Sequence, residues 1–311
     1  MDILGHPYLK VSPRILYRCA AFLGYVRRRF TSSEFLTLLL PGKLKGEEIL
    51  VRLHNFVEEC LRERLGRFLN PDGSMNLYSH CLYTSSYEEA LSFIQQIITC
   101  DQYSMDRFLS DGDVIVDVGA NIGVFSVKAA HDFPNAKIYA IEPSSKTFEI
   151  LKRNTEHYPR VSCLNEGLGD KEEWRQLATY ANYPGNTRMD DAKTKPPNPK
   201  YGDVFVETVP LVTLDILVER HQVPRVDFIK MDTEGYEEKV LKGASQTIRK
   251  WKPVIVMSAY HTATDKSELP RLLQSICGDY VCELHHEAEE DLVCYVNKEL
   301  DKGPSAQEGV H

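Results

Sequence analysis

The stretch DGDVIVDVGANIGVFSVKAA, Asp111 to Ala130, limits the possible folds more than any other part of the chain. Val114, Ile115 and Val116 form a β-branched run suited to a parallel strand covered on both faces, and Asp117 stands close to its end. Gly119 and Gly123 bracket Ala120, Asn121 and Ile122, so the backbone can turn sharply and a ligand can approach without meeting a Cβ. From Val124 a helix resumes. Ligands of open α/β sheets lie outside the carboxyl ends of the strands, so this turn is the expected binding site.

The same pattern continues along the chain. Strands are predicted over Val114 to Val118, Lys137 to Ile141, Val161 to Leu164, Val226 to Met231 and Val254 to Met257, with helices between them. Alternation of this kind gives a parallel sheet with right-handed crossovers. Two further strands, Val281 to His285 and Leu292 to Val296, bring the sheet to seven. Thr213 is placed to cap a helix over Leu214 to Arg220.

The glycine spacing selects among ligands. A dinucleotide site calls for G-x-G-x-x-G, and this turn has only G-x-x-x-G. The missing middle glycine, with acidic Asp117 just before the turn, argues against a pyrophosphate and for a ligand with a zwitterionic or cationic end, such as S-adenosylmethionine. Glu142 closes the second strand about twenty residues on, where a carboxylate binds ribose hydroxyls. NAD enzymes use that position in the same way, so the glycine pattern decides between the cofactors.

Three blocks, DVIVDVGANIGVFS from Asp113, IYAIEPSSKTFEILKRNTE from Ile138 and VDFIKMDTEGYEEKVLKGA from Val226, resemble the FkbM family of S-adenosylmethionine-dependent methyltransferases in order and spacing. The last block is the most specific. The resemblance runs from about Asp101 to Val296 and implies a class I methyltransferase, a Rossmann-like seven-stranded sheet with helices on both faces. It implies S-adenosylmethionine as cofactor, bound by Asp117, Gly119, Ala120, Asn121, Gly123 and Glu142, with Asn165 and Glu166 near the adenine or else in a solvated turn. It sets Asp232 and Glu234 facing the cofactor and makes His261 a general base or a hydrogen-bonding scaffold. Tyr103 resembles a family position near the cofactor. An oxygen acceptor is the type usual for the family, and small metabolite, sugar, lipid and protein acceptors all stay open.

Residues 1–100 read as a helical N-terminal cap, 101–298 as the methyltransferase domain and 299–311 as a disordered tail. Within the cap, Ile15, Leu16, Cys19, Phe22, Leu23 and Val26 make one apolar helix face, and Glu47 to Leu65 and Tyr87 to Ile98 read as further helices. Residues 182–203, with Pro184-Gly185, Pro196-Pro197 and Pro199, read as a surface loop. The net charge of -8 disfavours nucleic acid as a partner, and no run near the start reaches the roughly 20 apolar residues of a membrane span. None of the eight cysteines forms a C-x-x-C pair, and several sit in apolar runs as reduced thiols do in a cytoplasmic protein. No metal site is expected. Asp232 lacks further ligands at convincing sequence spacing, and His285-His286 with Glu287 is a weak signal. The competing reading is a non-catalytic module that holds the cofactor and recruits a partner through its helical N-terminal segment.

Overall fold

The computed structural model describes residues 101–180, 183–189, 203–286 and 289–296, with short pieces between residues 70 and 97. The helices expected at 15–26, 47–65 and 87–98 and the tail at 299–311 lie wholly or largely outside the described residues. Inside the stretch read as helical, a small hairpin pairs β1 (Met75–Leu77) with β2 (His80–Leu82).

A short helix, α1 (Met105–Phe108), leads into β3 (Val114–Val118), α2 (Val124–Asp132), β4 (Lys137–Ile141), α3 (Ser145–Thr155) and β5 (Val161–Leu164). An inserted sheet follows, made of β6 (Gly167–Leu168), β7 (Glu173–Tyr180), β8 (Tyr183–Met189) and β9 (Val204–Val212). The chain returns through α4 (Leu214–Arg220) to β10 (Phe228–Met231), α5 (Glu237–Gly243), α6 (Ser245–Trp251), β11 (Val254–Ser258), α7 (Asp265–Ile276), β12 (Tyr280–His285) and β13 (Asp291–Val296).

The main sheet has seven strands in the order β12-β13-β11-β10-β3-β4-β5. Strands β5, β4, β3, β10 and β11 pair in parallel, and β13 runs antiparallel between β11 and β12. This is the class I methyltransferase order. The chain starts at β3, moves outward through β4 and β5, then crosses back to β10. The carboxyl ends of β3 and β10 therefore form the topological switch point, where a crevice opens.

Central strands are buried on both faces, as their unbroken apolar runs require: every residue of β3 and β10 is buried, including Asp117 and Lys230. One face packs Val116, Val118, Ile229 and Met231 against Leu214, Leu217, Val240, Leu241 and Ile248. The other packs Ile115, Ile138 and Phe228 against Val124, Phe125, Val127 and Met105. Thr213 caps α4 as expected, its Oγ1 accepting from the Ile216 N–H at 3.1 Å.

Two departures from the sequence reading have physical causes. Part of the predicted loop is a strand: β8 carries Pro184-Gly185, but it lies at the edge of the inserted sheet, where a missing N–H costs no ladder bond. The cysteine pattern reads as that of reduced thiols in apolar runs, yet Cys282 and Cys294 are joined in a disulfide. They sit directly opposite one another in the β12–β13 register, a proximity that linear spacing hides. Cys163 and Cys277 are free. Among the described residues, no helix is long and apolar enough to cross a membrane.

Candidate active site

The cleft at the switch point is lined by the glycine turn, by the ends of β4 and β10, and by the inserted sheet. Gly119, Ala120, Asn121 and Glu142 line it, as do Asp232, Thr233 and Glu234, with Tyr103 from the segment before α1 and Leu177, Thr187 and Met189 from β7 and β8.

The turn is held from both sides. Gly119 and Ala120 both donate backbone N–H bonds to the Ile141 carbonyl, at 3.0 and 2.9 Å. Gly119 has φ +71°, and a Cβ there would stand 1.9 Å from the Asp232 carbonyl oxygen. Glycine is needed here because β3 and β10 nearly touch where they end. Asn121 and Gly123 also have positive φ, at 50° and 89°.

Glu142 lines the cleft while tied to its floor. One carboxylate oxygen accepts the Asn121 N–H and the other the Ser144 N–H, both at 2.9 Å. Burial raises its pKa from 4.5 to about 7 despite these two donors; Lys230 pulls it down and Asp117 pushes it up. Nearby, Asn121 Oδ1, Thr233 Oγ1 and Asp232 Oδ1 are buried with no hydrogen-bond partner. Buried polar atoms without partners are uncommon, and these sit on residues that border one cleft. A ligand rich in hydroxyl, amino and carboxylate groups fits such a lining.

Asp117 is placed differently from the other turn residues. It is fully buried beneath the cleft, its carboxylate 3.1 Å from Lys230 Nζ and accepting from Ser126 Oγ at 2.7 Å. Lys230 also donates to the Gly119 carbonyl at 2.6 Å. The buried lysine thus has the carboxylate partner that burial demands, and the pair fastens the turn to β10. Gly123 packs against Leu151 below the turn. Asn165 donates to the Glu142 and Pro143 carbonyls, and Glu166 pairs with Arg220 at 2.8 Å, so neither side chain lines the cleft.

At the other end of the cleft Asp232, Glu234 and His261 converge. Asp232 and Glu234 follow β10, and His261 follows β11, its side chain only 4% exposed. His261 Nε2 is 3.6 Å from Asp232 Oδ1 and 3.7 Å from Glu234 Oε2. Its Nδ1 is 3.1 Å from Glu237 Oε1, and Glu237 is 1% exposed and accepts the Thr233 N–H at 2.9 Å. Burial opposes a charge on His261, but Glu237, Asp232 and Glu234 outweigh it and raise its pKa to about 10. Burial raises the Glu234 carboxyl; His261 pulls it down and Asp232 adds to the rise. Glu234 itself has φ +54°, a strained left-handed backbone for a residue with a Cβ and of the sort that occurs at functional sites, and Gly235 follows at φ +93°. Tyr103, 3% exposed, donates its hydroxyl to Asp232 Oδ2 at 3.4 Å.

Sequence reasoning singled out Asp232, Glu234 and His261 but not Glu237, which holds His261 from behind. Glu237 opens α5 in the acidic first turn that a helix favours, and that was the available clue. The grouping of three ligand-type side chains, with ligand atoms within 4.8 Å of one another, also escaped it, because His261 lies on a different strand.

Comparison with known proteins identifies the family. The family model described as the methyltransferase FkbM domain matches residues 117–290, more than half of the chain. Methyltransferase sdnD of Sordaria araneosa is 29% identical over 218 residues, covering 62% of this chain and 83% of that protein. Hexuronic acid methyltransferase AglP of Haloferax volcanii is 28% identical over 169 residues, covering 52% of this chain and 62% of that protein. A crystal structure of methyltransferase FkbM from Methylobacillus flagellatus aligns with TM-score 0.48 and 21% identity, over 78% of this chain and 60% of that one. The match to the family model over the glycine turn, Glu142 and the Asp232 to His261 segment shows that the chain belongs to the FkbM family of methyltransferases.

Proposed function

We propose that this methyltransferase uses S-adenosylmethionine as its methyl donor and methylates an oxygen of its acceptor. The observation that carries the reading is Glu142: a buried carboxylate at the end of β4, facing the cleft, with each oxygen already oriented by one backbone N–H. Such a group is preset to accept two hydroxyl hydrogen bonds from a ribose. Asn121 Oδ1 and Thr233 Oγ1 offer further polar contacts, and the glycine turn gives the ligand close access to the backbone.

When bound, the cofactor supplies a methyl group already activated on a sulfonium; the acceptor oxygen bonds to carbon as the carbon–sulfur bond breaks and its electron pair stays on sulfur. Alignment and exclusion of water are then the chain's main tasks. Tyr103 and Asp232 border the cleft and fix the direction of approach through their mutual hydrogen bond. A hydroxyl acceptor must lose its proton, and the carboxylates of Asp232 and Glu234 are at hand to receive it. This concentration of acid–base groups beside the cleft favours turnover over a module that only holds the cofactor. The oxygen preference draws on AglP, whose hexuronic acid acceptor offers only oxygen nucleophiles.

The reading makes a pH prediction. Ribose hydroxyls donating to Glu142 stabilise its charged form and lower its pKa from about 7. Binding then releases a proton near neutrality, and affinity is full above pH 7 and falls as the pH drops below it. In the ligand-free protein the raised pKa works the opposite way: the contribution of Glu142 to stability is fully present below 4.5 and is lost as the pH rises through about 7. Calorimetry with S-adenosylmethionine at pH 6, in two buffers of different ionisation enthalpy, measures the released proton. Glu142→Gln is expected to abolish the release and weaken binding by about 10- to 100-fold, the worth of losing hydrogen bonds to a charged group. Binding of NAD in place of S-adenosylmethionine and S-adenosylhomocysteine would sink the assignment.

A further inference from the structure

We propose that Asp232, Glu234 and His261 form a binding site for one divalent metal ion on the wall of the cleft. The inference deepens the methyl-transfer reading and rests on it only for what the ion does, not for whether the ion binds.

The fold brings together one imidazole nitrogen and two carboxylate oxygens whose positions suit a single small cation. Bonds of about 2.0–2.3 Å place neighbouring ligand atoms roughly 3.0–3.5 Å apart. Nε2 of His261 lies 3.6 and 3.7 Å from its two carboxylate neighbours, and the three ligand atoms all lie within 4.8 Å of one another, close enough for side-chain rotation to bring them onto one ion. His261 Nε2 and Asp232 Oδ1 are both buried without a hydrogen-bond partner. The His261 side chain is only 4% exposed, and its Nε2 is turned towards the two carboxylates without a hydrogen-bond partner among the described residues.

A second feature points the same way. Glu237 sits on the far nitrogen of His261, 3.1 Å from Nδ1, and is itself held by the Thr233 N–H. A carboxylate behind a histidine fixes the ring and directs the other nitrogen's lone pair outward, the arrangement that orients metal-bound histidines. Charge argues for it as well. Three carboxylates, from Asp232, Glu234 and Glu237, gather around one imidazole. Among the described residues the nearby lysine, Lys230, is committed to Asp117 and the Gly119 carbonyl instead. A divalent cation that displaces the imidazole's proton supplies the balancing positive charge.

Two carboxylate oxygens with one imidazole nitrogen suit Mn²⁺, Fe²⁺ or Zn²⁺ better than a soft ion, and three protein ligands leave positions open towards the cleft. With Asp232 and Glu234 holding the ion, the ion takes over their task of removing the proton: an acceptor hydroxyl binding there would be acidified, and its proton would pass to solvent before its oxygen attacks the methyl carbon.

The test is metal binding alone. Full-length protein stripped with a chelator is titrated with MnCl₂ by calorimetry and electron paramagnetic resonance, without cofactor or acceptor. One site per chain is expected, weakened at least tenfold in both Glu234→Gln and His261→Gln. Asp232→Asn replaces whichever variant fails to fold, as judged by circular dichroism. No Mn²⁺ binding at millimolar concentration by folded protein, or binding unchanged in the folded variants, overturns the site. Titration of the same stripped protein with S-adenosylmethionine separates the two readings. Cofactor binding without Mn²⁺ binding discards the metal site and leaves methyl transfer standing; Mn²⁺ binding without cofactor binding does the reverse.

Discussion

Lys230→Met is expected to destabilise the protein by about 3–5 kcal/mol, measured by urea unfolding at neutral pH, the usual loss when one member of a buried ion pair is removed. Lys230 and Asp117 are register partners on β10 and β3, the lysine nearly buried and the aspartate fully so. Without the ammonium, the Asp117 carboxylate keeps only the Ser126 hydroxyl as a donor and must either bear an unpaired charge or take up a proton. Adding Asp117→Asn to the lysine variant removes that charge, so the double variant is expected to be more stable than the lysine variant alone. A double variant at least as unstable as Lys230→Met would show that the loss does not come from stranding the Asp117 charge. Because Lys230 also donates to the Gly119 carbonyl, the single variant is expected to loosen the glycine turn and weaken cofactor binding as well.

Gly119→Ala is expected to cost about 3 kcal/mol or more and to abolish cofactor binding, whereas substitutions at two other glycines of positive φ cost less. All three positions carry the strain of holding a Cβ at positive φ, about 1–2 kcal/mol for a residue like alanine. What differs is the surroundings. At Gly112 a Cβ meets nothing within 4 Å; at Gly123 it meets the Leu151 Cδ1 at 2.6 Å, the end of a side chain that can rotate; at Gly119 it meets the Asp232 carbonyl oxygen at 1.9 Å. Backbone cannot yield there without parting β3 from β10. Denaturation of the three alanine variants should rank Gly119 well above Gly123, and Gly123 above Gly112. Equal losses would mean that dihedral strain alone sets the cost and that the close approach of the two strands has no energetic weight.

The sheet was legible in the sequence because its central strands are covered on both faces and must be continuous apolar runs. Val114 to Val118 is such a run and agrees with the structure to the residue, as do Lys137 to Ile141 and the edge strand Val161 to Leu164. The inserted sheet was harder to read. Glu173–Tyr180 mixes charged and apolar residues over a half-exposed strand, and Pro184-Gly185 resembles a loop unless the strand is known to be an edge. At the site, identity was legible and role was not. Asp117 is an acidic residue beside a glycine turn whether it faces a ligand or a lysine, and only the register of β10 against β3 reveals the lysine. His261 likewise shows its partners only once β11 lies beside β10, because the carboxylates around it come from another strand.

The inserted sheet occupies one uninterrupted stretch, from β6 just after β5 to β9 just before the Thr213 cap. It has its own small core, in which Leu177, Met189, Val209 and Leu211 close over Tyr236, and it presents Leu177, Thr187 and Met189 to the cleft. Glu142, Asp232, Glu234 and His261 all come from outside it. One wall of the cleft can therefore be exchanged as a cassette, by evolution or by grafting, while the residues proposed to hold the methyl donor and the cation stay where the parallel strands put them.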